Sequence, residues 1–393
     1  MHIQSKPFTF FTKTNEIPTK DWEHVVGNSN IFLSLGYLEA VSQNLSKDMQ
    51  FVYVLVYAGA SPLVAGVFQI ATFTYKKGAQ TNLLLKIFQD SKNADDSVSI
   101  RGLVCGNMFA TGAHGYAYTQ AVSYASATEL IASAAKEIGK IKYYEDAFSI
   151  QLFKEYEDIS AKKAAVLEDF KYRPFQADVA MVLPISKKWS TFQQYLNSMK
   201  AKYRTKANSA LKKASALQLV SLSALEIEQH EKRLLELFNN VQQQSEYRYG
   251  KNYPRTFKSL KENLKDTFYC TGAFLDETLV GFSTAFLNGS TLEANYVGLD
   301  YSYNTRFALY ERLLYHYVEE AIKQNATMVH LGRTSELIKS ALGATPQQMT
   351  LFVKHSSKFK NALLKPILEK IEPSEFTLRK PFKADFYNDL EKT

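Results

Sequence analysis

Val166-Leu167-Glu168-Asp169-Phe170-Lys171-Tyr172-Arg173-Pro174 leads into an apolar run through Val179, Met181 and Leu183. Ile338-Lys339-Ser340-Ala341-Leu342-Gly343-Ala344-Thr345-Pro346 leads into another through Met349, Leu351 and Val353. Each reads as a helix, a short loop ending at a proline, and a strand. A whole supersecondary unit that recurs at about the length of a domain signals a duplicated domain, because solenoid periods are far shorter. The chain is therefore expected to hold two related α/β domains.

Composition fits that count. The 393 residues are 46% hydrophobic and 13% aromatic, enough for two sizeable cores. Cys105 and Cys270 are the only cysteines, and the absence of a leader pattern or a long apolar span predicts a reduced, soluble, cytoplasmic protein. The seven histidines have no metal-ligand spacing, so no metal is expected. The net charge of +8 concentrates in two places. One is Lys200, Lys202, Arg204, Lys206, Lys212 and Lys213; the other is a tail with Lys354, Lys358, Lys360, Lys365, Lys370, Arg379, Lys380 and Lys383. Such faces favour anionic partners, and the plain alternative is a solvated helix and tail. In the tail, Leu363, Leu364, Ile367, Leu368 and Ile371 form an apolar stripe. The stripe is expected to pack on the second domain; its lysines leave open a peripheral contact with an anionic membrane.

The first half reads as helices near 18–26 and 33–44, paired strands at 50–57 and 63–73, a polar loop at 89–97, and a glycine-rich stretch from Gly102 to Tyr118. A helix at 125–138, a strand at 147–153 and a helix at 161–170 follow. The second half has a long helical region from Ser190 through Lys213, a short strand at 217–222 and a helix at 227–245. Then come a hairpin at 268–275 and 279–287, a strand at 292–299, a helix at 308–324, a strand at 328–331 and the closing unit. No Pro/Gly-rich linker separates the halves.

That order in the second half, carried by Leu292–Gln324, Met328–Leu331 and Ile338–Val353, resembles a Gcn5-related N-acetyltransferase (GNAT) domain. Two fused copies, with Trp189-Ser190-Thr191-Phe192, Lys202-Tyr203-Arg204 and Leu331-Gly332-Arg333-Thr334, look like the bacterial FemAB-like group, whose known members join amino acids to peptidoglycan precursors. The resemblance implies an α/β fold of mixed sheets in two tandem GNAT-like domains. The expected divisions are 1–176, a degenerate supporting copy; 177–354, the active copy; and a basic tail, 355–393. It also implies a transferase that uses an acyl-CoA as donor.

Against the GNAT pattern, Asp300-Tyr301-Ser302-Tyr303-Asn304-Thr305-Arg306-Phe307-Ala308 has none of the glycines that let backbone N–H groups wrap a pyrophosphate. Asn304, Thr305 and Arg306 remain as donors there, with Gly298 upstream. The position of a tyrosine general acid in many GNAT enzymes is held by Lys339. Gly106–Gly115, at the matching place in the first half, has glycines in the wrong spacing for a phosphate loop. Acyl transfer to an amine needs a base, an oxyanion donor and a leaving-group acid. The resemblance to the GNAT arrangement implies the second as backbone N–H groups of residues 295–299. The side-chain candidates are Tyr296, Tyr303, Tyr310 and Lys339 for chemistry, Arg333 and Thr334 for an anionic donor at the open end of the sheet, and Glu246 and Arg248 for the acceptor.

Three functions compete. The first is N-acyl transfer from an acyl-CoA or other phosphorylated donor to a small amine or a lipid- or cell-wall-derived acceptor. The second is aminoacyl-tRNA-dependent transfer to a cell-wall precursor, against which stands the shortness of the segment from Lys188 to Ile227. The third is a non-catalytic protein that binds an anionic ligand. Duplex DNA is not expected as a partner.

Overall fold

The computed structural model describes residues 3–5, 7–75, 91–92, 98–142, 144, 147–244, 252–369 and 376–390. The chain divides into two compact units, 1–178 with 348–374, and 179–347 with 375–393. Strand Arg173–Pro184 carries the chain out of the first unit, and strand Thr345–His355 carries it back.

The repeated ending is present in both halves, offset by 172 positions. Lys171 (φ 68°) and Gly343 (φ 105°) take the left-handed conformation three residues before Pro174 and Pro346. Tyr172 N–H donates to Leu167 O and Ala344 N–H to Lys339 O, both across five residues, as in a Schellman-type helix stop. Each proline is the second residue of its strand, where a missing N–H costs least.

In the first unit, strands Phe8–Phe11, Gln50–Ala58, Ser61–Tyr75 and Val98–Cys105 pair antiparallel in that order. Val98–Cys105 then runs parallel to Ile150–Glu157, from Gly102↔Ile150 to Cys105↔Phe153. The crossover between them is helix Tyr124–Ile138, which starts where Ser123 Oγ accepts Ser126 N–H. Its Ala127, Ile131, Ala134, Ala135 and Ile138 pack on Val52, Val54, Phe68 and Leu103. The helix expected at 161–170 is instead a short α-turn, Asp158–Lys163, that tightens into 3-10 geometry over Ala164–Glu168.

The second unit repeats the scheme. Strands Leu217–Ser221, Phe268–Leu275, Thr278–Asn288 and Thr291–Leu299 pair antiparallel in sequence. Thr291–Leu299 then runs parallel to Met328–His330, which lies antiparallel to Val182–Pro184. The crossover helix Leu309–Lys323 buries Leu313, Leu314, Tyr317, Val318 and Ala321. The helical region expected as one piece from Ser190 breaks into Phe192–Ser198 and Ala201–Lys213, because Met199 and Lys200 are extended. The two ends of that break are tied to the C-terminal segment: Lys200 N–H donates to Pro381 O, and Lys383 N–H to Ser198 O.

The tail divides between the units. Helix Lys358–Leu368 belongs with the first, where Leu364 and Leu368 join Ile100, Ile150 and Val353. This corrects the expectation that its apolar stripe packs on the second half. The later segment enters the second core, with Phe382 packed against Trp189, Tyr195 and Phe386. Among the described residues no helix is long and apolar enough to cross a membrane.

Candidate active site

The second sheet forks at one strand. Thr291–Leu299 stays paired with Thr278–Asn288 along its whole length, but its parallel ladder with Met328–His330 ends at Glu293↔His330. Past that rung the Met328 strand keeps to the other side, since Leu331 N–H donates to Met181 O and Met181 N–H to Gly332 O. Among the described residues, the segment Ala294–Leu299 therefore has no strand partner on that side. A bulge sits there, with Ser283↔Val297 followed by Ala285↔Ala294. Its backbone is held by hydroxyls: Tyr296 N–H donates to Thr284 Oγ1 (3.1 Å), and Tyr317 OH to Thr284 O (3.1 Å) and Tyr296 O (3.2 Å). The Tyr296 amide, expected as an oxyanion donor, is thus already engaged.

At the apex of the fork the last rung brings a carboxylate and an imidazole together. Glu293 Oε2 lies 3.4 Å from His330 Nδ1, and both side chains are largely buried. Each residue interrupts an apolar run, Leu292-Glu293-Ala294 and Val329-His330-Leu331. That interruption was the available sequence signal; the parallel register that brings the two together was not.

The rim follows at once. Gly332 (φ 67°), Thr334 (φ 63°) and Ser335 (φ 56°) are all left-handed, a costly backbone for the two non-glycine residues. What holds it is Lys339, whose Nζ donates to Arg333 O (2.5 Å) and Gly332 O (3.4 Å). Burial brings this amine down to about 7, against the opposing pull of Glu336. The Tyr310 hydroxyl meets Ser335, and burial raises its pKa, so it keeps its proton at neutral pH. Arg333 is half-buried and Thr334 exposed on the same loop. The structure thus gathers Tyr310, Arg333, Thr334 and Lys339 around one loop, beside the fork.

The other candidates are placed differently. Tyr296 packs its ring against Phe238 and Tyr253, each at 5.1 Å. Gly298 is required by packing, since a Cβ there would fall 2.0 Å from the Phe282 ring. Residues 301–307, expected as a loop with Tyr303 in it, form a helix, and Tyr303 stacks on Phe307. Asn304 Oδ1 accepts Tyr310 N–H at 2.9 Å and so caps the next helix, while Thr305 and Arg306 are exposed. The Arg306 guanidinium lies 4.9 Å over the Phe307 ring. Glu246 and Arg248 lie outside the described residues.

These contacts decide what the helix start after the fork can bind. Asp300 caps helix Tyr301–Phe307, accepting Ser302 N–H (3.1 Å), and is itself paired with Arg233 at 2.7 Å. A carboxylate occupies the place where a pyrophosphate would seek N–H groups, and Asn304 occupies one N–H of the following helix. Asp300–Ala308 does not fit the pyrophosphate of an acyl-CoA.

The corresponding place in the first unit is closed by its own loop. Lys154 Nζ donates to Asn107 O (2.8 Å) and Ala110 O (3.1 Å). Glu155 N–H donates to Gly112 O, and Gly112 N–H to Glu155 Oε2. Gly106 and Gly112, with φ of 142° and 115°, let the loop fold back onto strand Ile150–Glu157. These glycines serve a packed turn.

Residues 201–340 match the family described as Acetyltransferase (GNAT) domain. No curated protein matches the chain. Among solved structures the chain is similar to FemX, at 12% identity and TM-score 0.56, over 90% of this chain and 99% of that one. It is similar also to the C-terminal domain of a putative lysylphosphatidylglycerol synthetase from Agrobacterium fabrum, at 9% and 0.51, over 91% and 97%. A third is a tandem GNAT protein from the clavulanic acid biosynthesis pathway, at 11% and 0.51, over 89% and 99%. The fold is a FemAB-like double GNAT, of mixed α/β sheets.

Proposed function

We propose that the second unit transfers an acyl group from an activated, phosphate-bearing donor to the amine of an acceptor. The observation that carries this reading is the fork between Thr291–Leu299 and Met328–His330, with a Glu–His pair at its apex. His330, oriented through Nδ1 by Glu293, takes the proton from the attacking amine. The new C–N bond forms as the bond from the carbonyl carbon to the donor's leaving atom breaks. Tyr310 gives that atom its proton. Lys339 positions the Gly332–Ser335 loop, and Arg333 on that loop meets the donor's phosphate with a planar, two-pronged donor set.

A second reading, in which the donor is an aminoacyl-tRNA, is favoured by one feature. From residue 179 to 225 the chain has no Asp or Glu but eight basic residues: Lys187, Lys188, Lys200, Lys202, Arg204, Lys206, Lys212 and Lys213. Helix Ala201–Lys213 within it packs beside helix Tyr301–Phe307. A polyanion laid along that helix would bring its acyl end toward the fork without needing a pyrophosphate turn. The name of one similar structure, a lysylphosphatidylglycerol synthetase, points the same way, toward an aminoacyl group and a lipid acceptor.

The test is a transfer assay with acetyl-CoA, longer acyl-CoAs and charged tRNA, each against amine acceptors including aminated lipid and cell-wall precursors. Formation of an N-acyl product, reduced about tenfold or more in Arg333→Lys with an unchanged melting temperature, supports the reading. Binding of donors without any turnover would replace it with a ligand-binding protein.

A further inference from the structure

We propose that helix Lys358–Leu368 of the first unit docks the protein on an anionic lipid bilayer. The helix has two faces of opposite fate. Asn361, Leu364 and Leu368 are buried against the unit. Asn361 fixes the helix in place: its Oδ1 accepts His355 N–H (2.8 Å), and its Nδ2 donates to Lys171 O (3.0 Å). The opposite face presents Phe359, Ala362, Leu363 and Pro366, spaced i, i+3, i+4 and i+7, all exposed. Phe359 is 75% exposed and Leu363 41%. A rigidly held helix that turns an aromatic and a leucine one turn apart into solvent gains nothing for its own fold by doing so.

Charge says what covers this stripe. Between Glu336 and Glu369 the chain contains no acidic residue, and Lys358 and Lys365 lie on one side of the stripe with Lys360 on the other. Glu369, 4.0 Å from Lys365, offsets that charge only at the far end. A stripe of four side chains on one short helix falls well below the roughly 800 Å² that each side of a stable protein interface buries. Shallow insertion of Phe359 and Leu363 among acyl chains, with lysines at the level of anionic headgroups, needs no such area. The inference does not depend on the transfer reaction.

The test is co-sedimentation of the full chain with phosphatidylcholine vesicles, with and without phosphatidylglycerol. Binding is expected only with phosphatidylglycerol and should weaken as salt rises. Phe359→Ser with Leu363→Ser should lower the partition coefficient about tenfold or more, and Lys358→Gln with Lys360→Gln by several-fold. All four positions are outside the core, so melting temperatures should hold. As a second readout, Phe359→Trp emission should be quenched by brominated acyl chains. Unchanged partition of the serine variant, or absence of quenching in bound protein, would overturn the proposal. So would self-association abolished by the serine variant without vesicle binding, which would assign the stripe to a second copy of the chain.

Discussion

Lys339 occupies in the second half the position that Leu167 occupies in the first: each carbonyl accepts the N–H five residues on, at the same helix stop, and each side chain is buried. Where one copy places a core leucine, the other buries an amine that grips the carbonyls of Gly332 and Arg333. The substitution sets a pH dependence. With the folded pKa near 7 and the free amine near 10.5, both states are charged below about pH 7, and the folded state bears the full cost of burying the charge. From 7 to 10.5 the unfolded chain binds more protons, so stability rises with pH; above that the cost is gone. Relative to Lys339→Met, which does not titrate there, the wild-type protein should gain stability between pH 7 and 10. The ceiling is roughly 5 kcal/mol, reached only if the carbonyl contacts offset nothing. Melting curves of both proteins across that range check it; parallel curves would show that the amine titrates normally.

The Glu293–His330 pair should separate chemistry from binding. Glu293→Gln and His330→Gln are expected to lower kcat by about 10²–10⁴-fold with KM little altered, because a general base acts in the transition state. A loss of stability with kcat intact would make the pair a plain cross-strand contact.

Much of this fold is legible from local pattern, since alternating apolar strands and glycine or Asp turns are short-range signals. The hairpin expected at 268–275 and 279–287 stands at Phe268–Leu275 and Thr278–Asn288, and the helix expected at 308–324 at Leu309–Lys323. What escaped is set by distant partners. Residues 301–307, between a strand and a helix, read as a loop, yet the Asp300 carboxylate starts a helix there and Arg233 holds that carboxylate. Leu363 and Leu364 are adjacent in sequence and read as one stripe, but they lie on opposite faces of their helix. Of the candidate residues, Arg333 is read from the open end of the sheet, Tyr310 from the first turns of its helix and Lys339 from its place four residues before Gly343. Glu293 and His330 are not so read, because their meeting depends on the register of two strands with a helix between them.

Gly343 and Phe382 test how the C-terminal segment supports the helix that carries Lys339. A Cβ at residue 343 would lie 2.0 Å from Phe382 Cε2, and φ there is 105°. Phe382 has nowhere to retreat, being fully buried among Trp189, Tyr195 and Phe386. Gly343→Ala should therefore cost about 2–4 kcal/mol, the sum of backbone strain and overpacking. Phe382→Ala should cost about 3–5 kcal/mol as a buried cavity. In the double variant the clash is relieved while the strain remains, so the two effects should fall short of additive; urea unfolding of the four proteins measures the coupling.

The donor is tested by salt. Asp300 and Asn304 hold the N–H groups that a pyrophosphate would use, so free CoA and acetyl-CoA should bind weakly. Binding that depends on the acid-free segment from 179 to 225 should instead follow counterion release, with log affinity falling against log salt by about 0.7 per contacted phosphate for single strands and about 0.9 for duplex. Lys202→Gln and Lys206→Gln, both on the exposed side of helix Ala201–Lys213, should each lower that slope by about one contact without changing the melting temperature. A long-chain acyl-CoA held by apolar burial would respond little to salt and not at all to these variants. Submicromolar acetyl-CoA affinity with normal turnover would reverse the assignment: the capped helix start would have to open for the pyrophosphate, and Asp300→Asn should then tighten binding further.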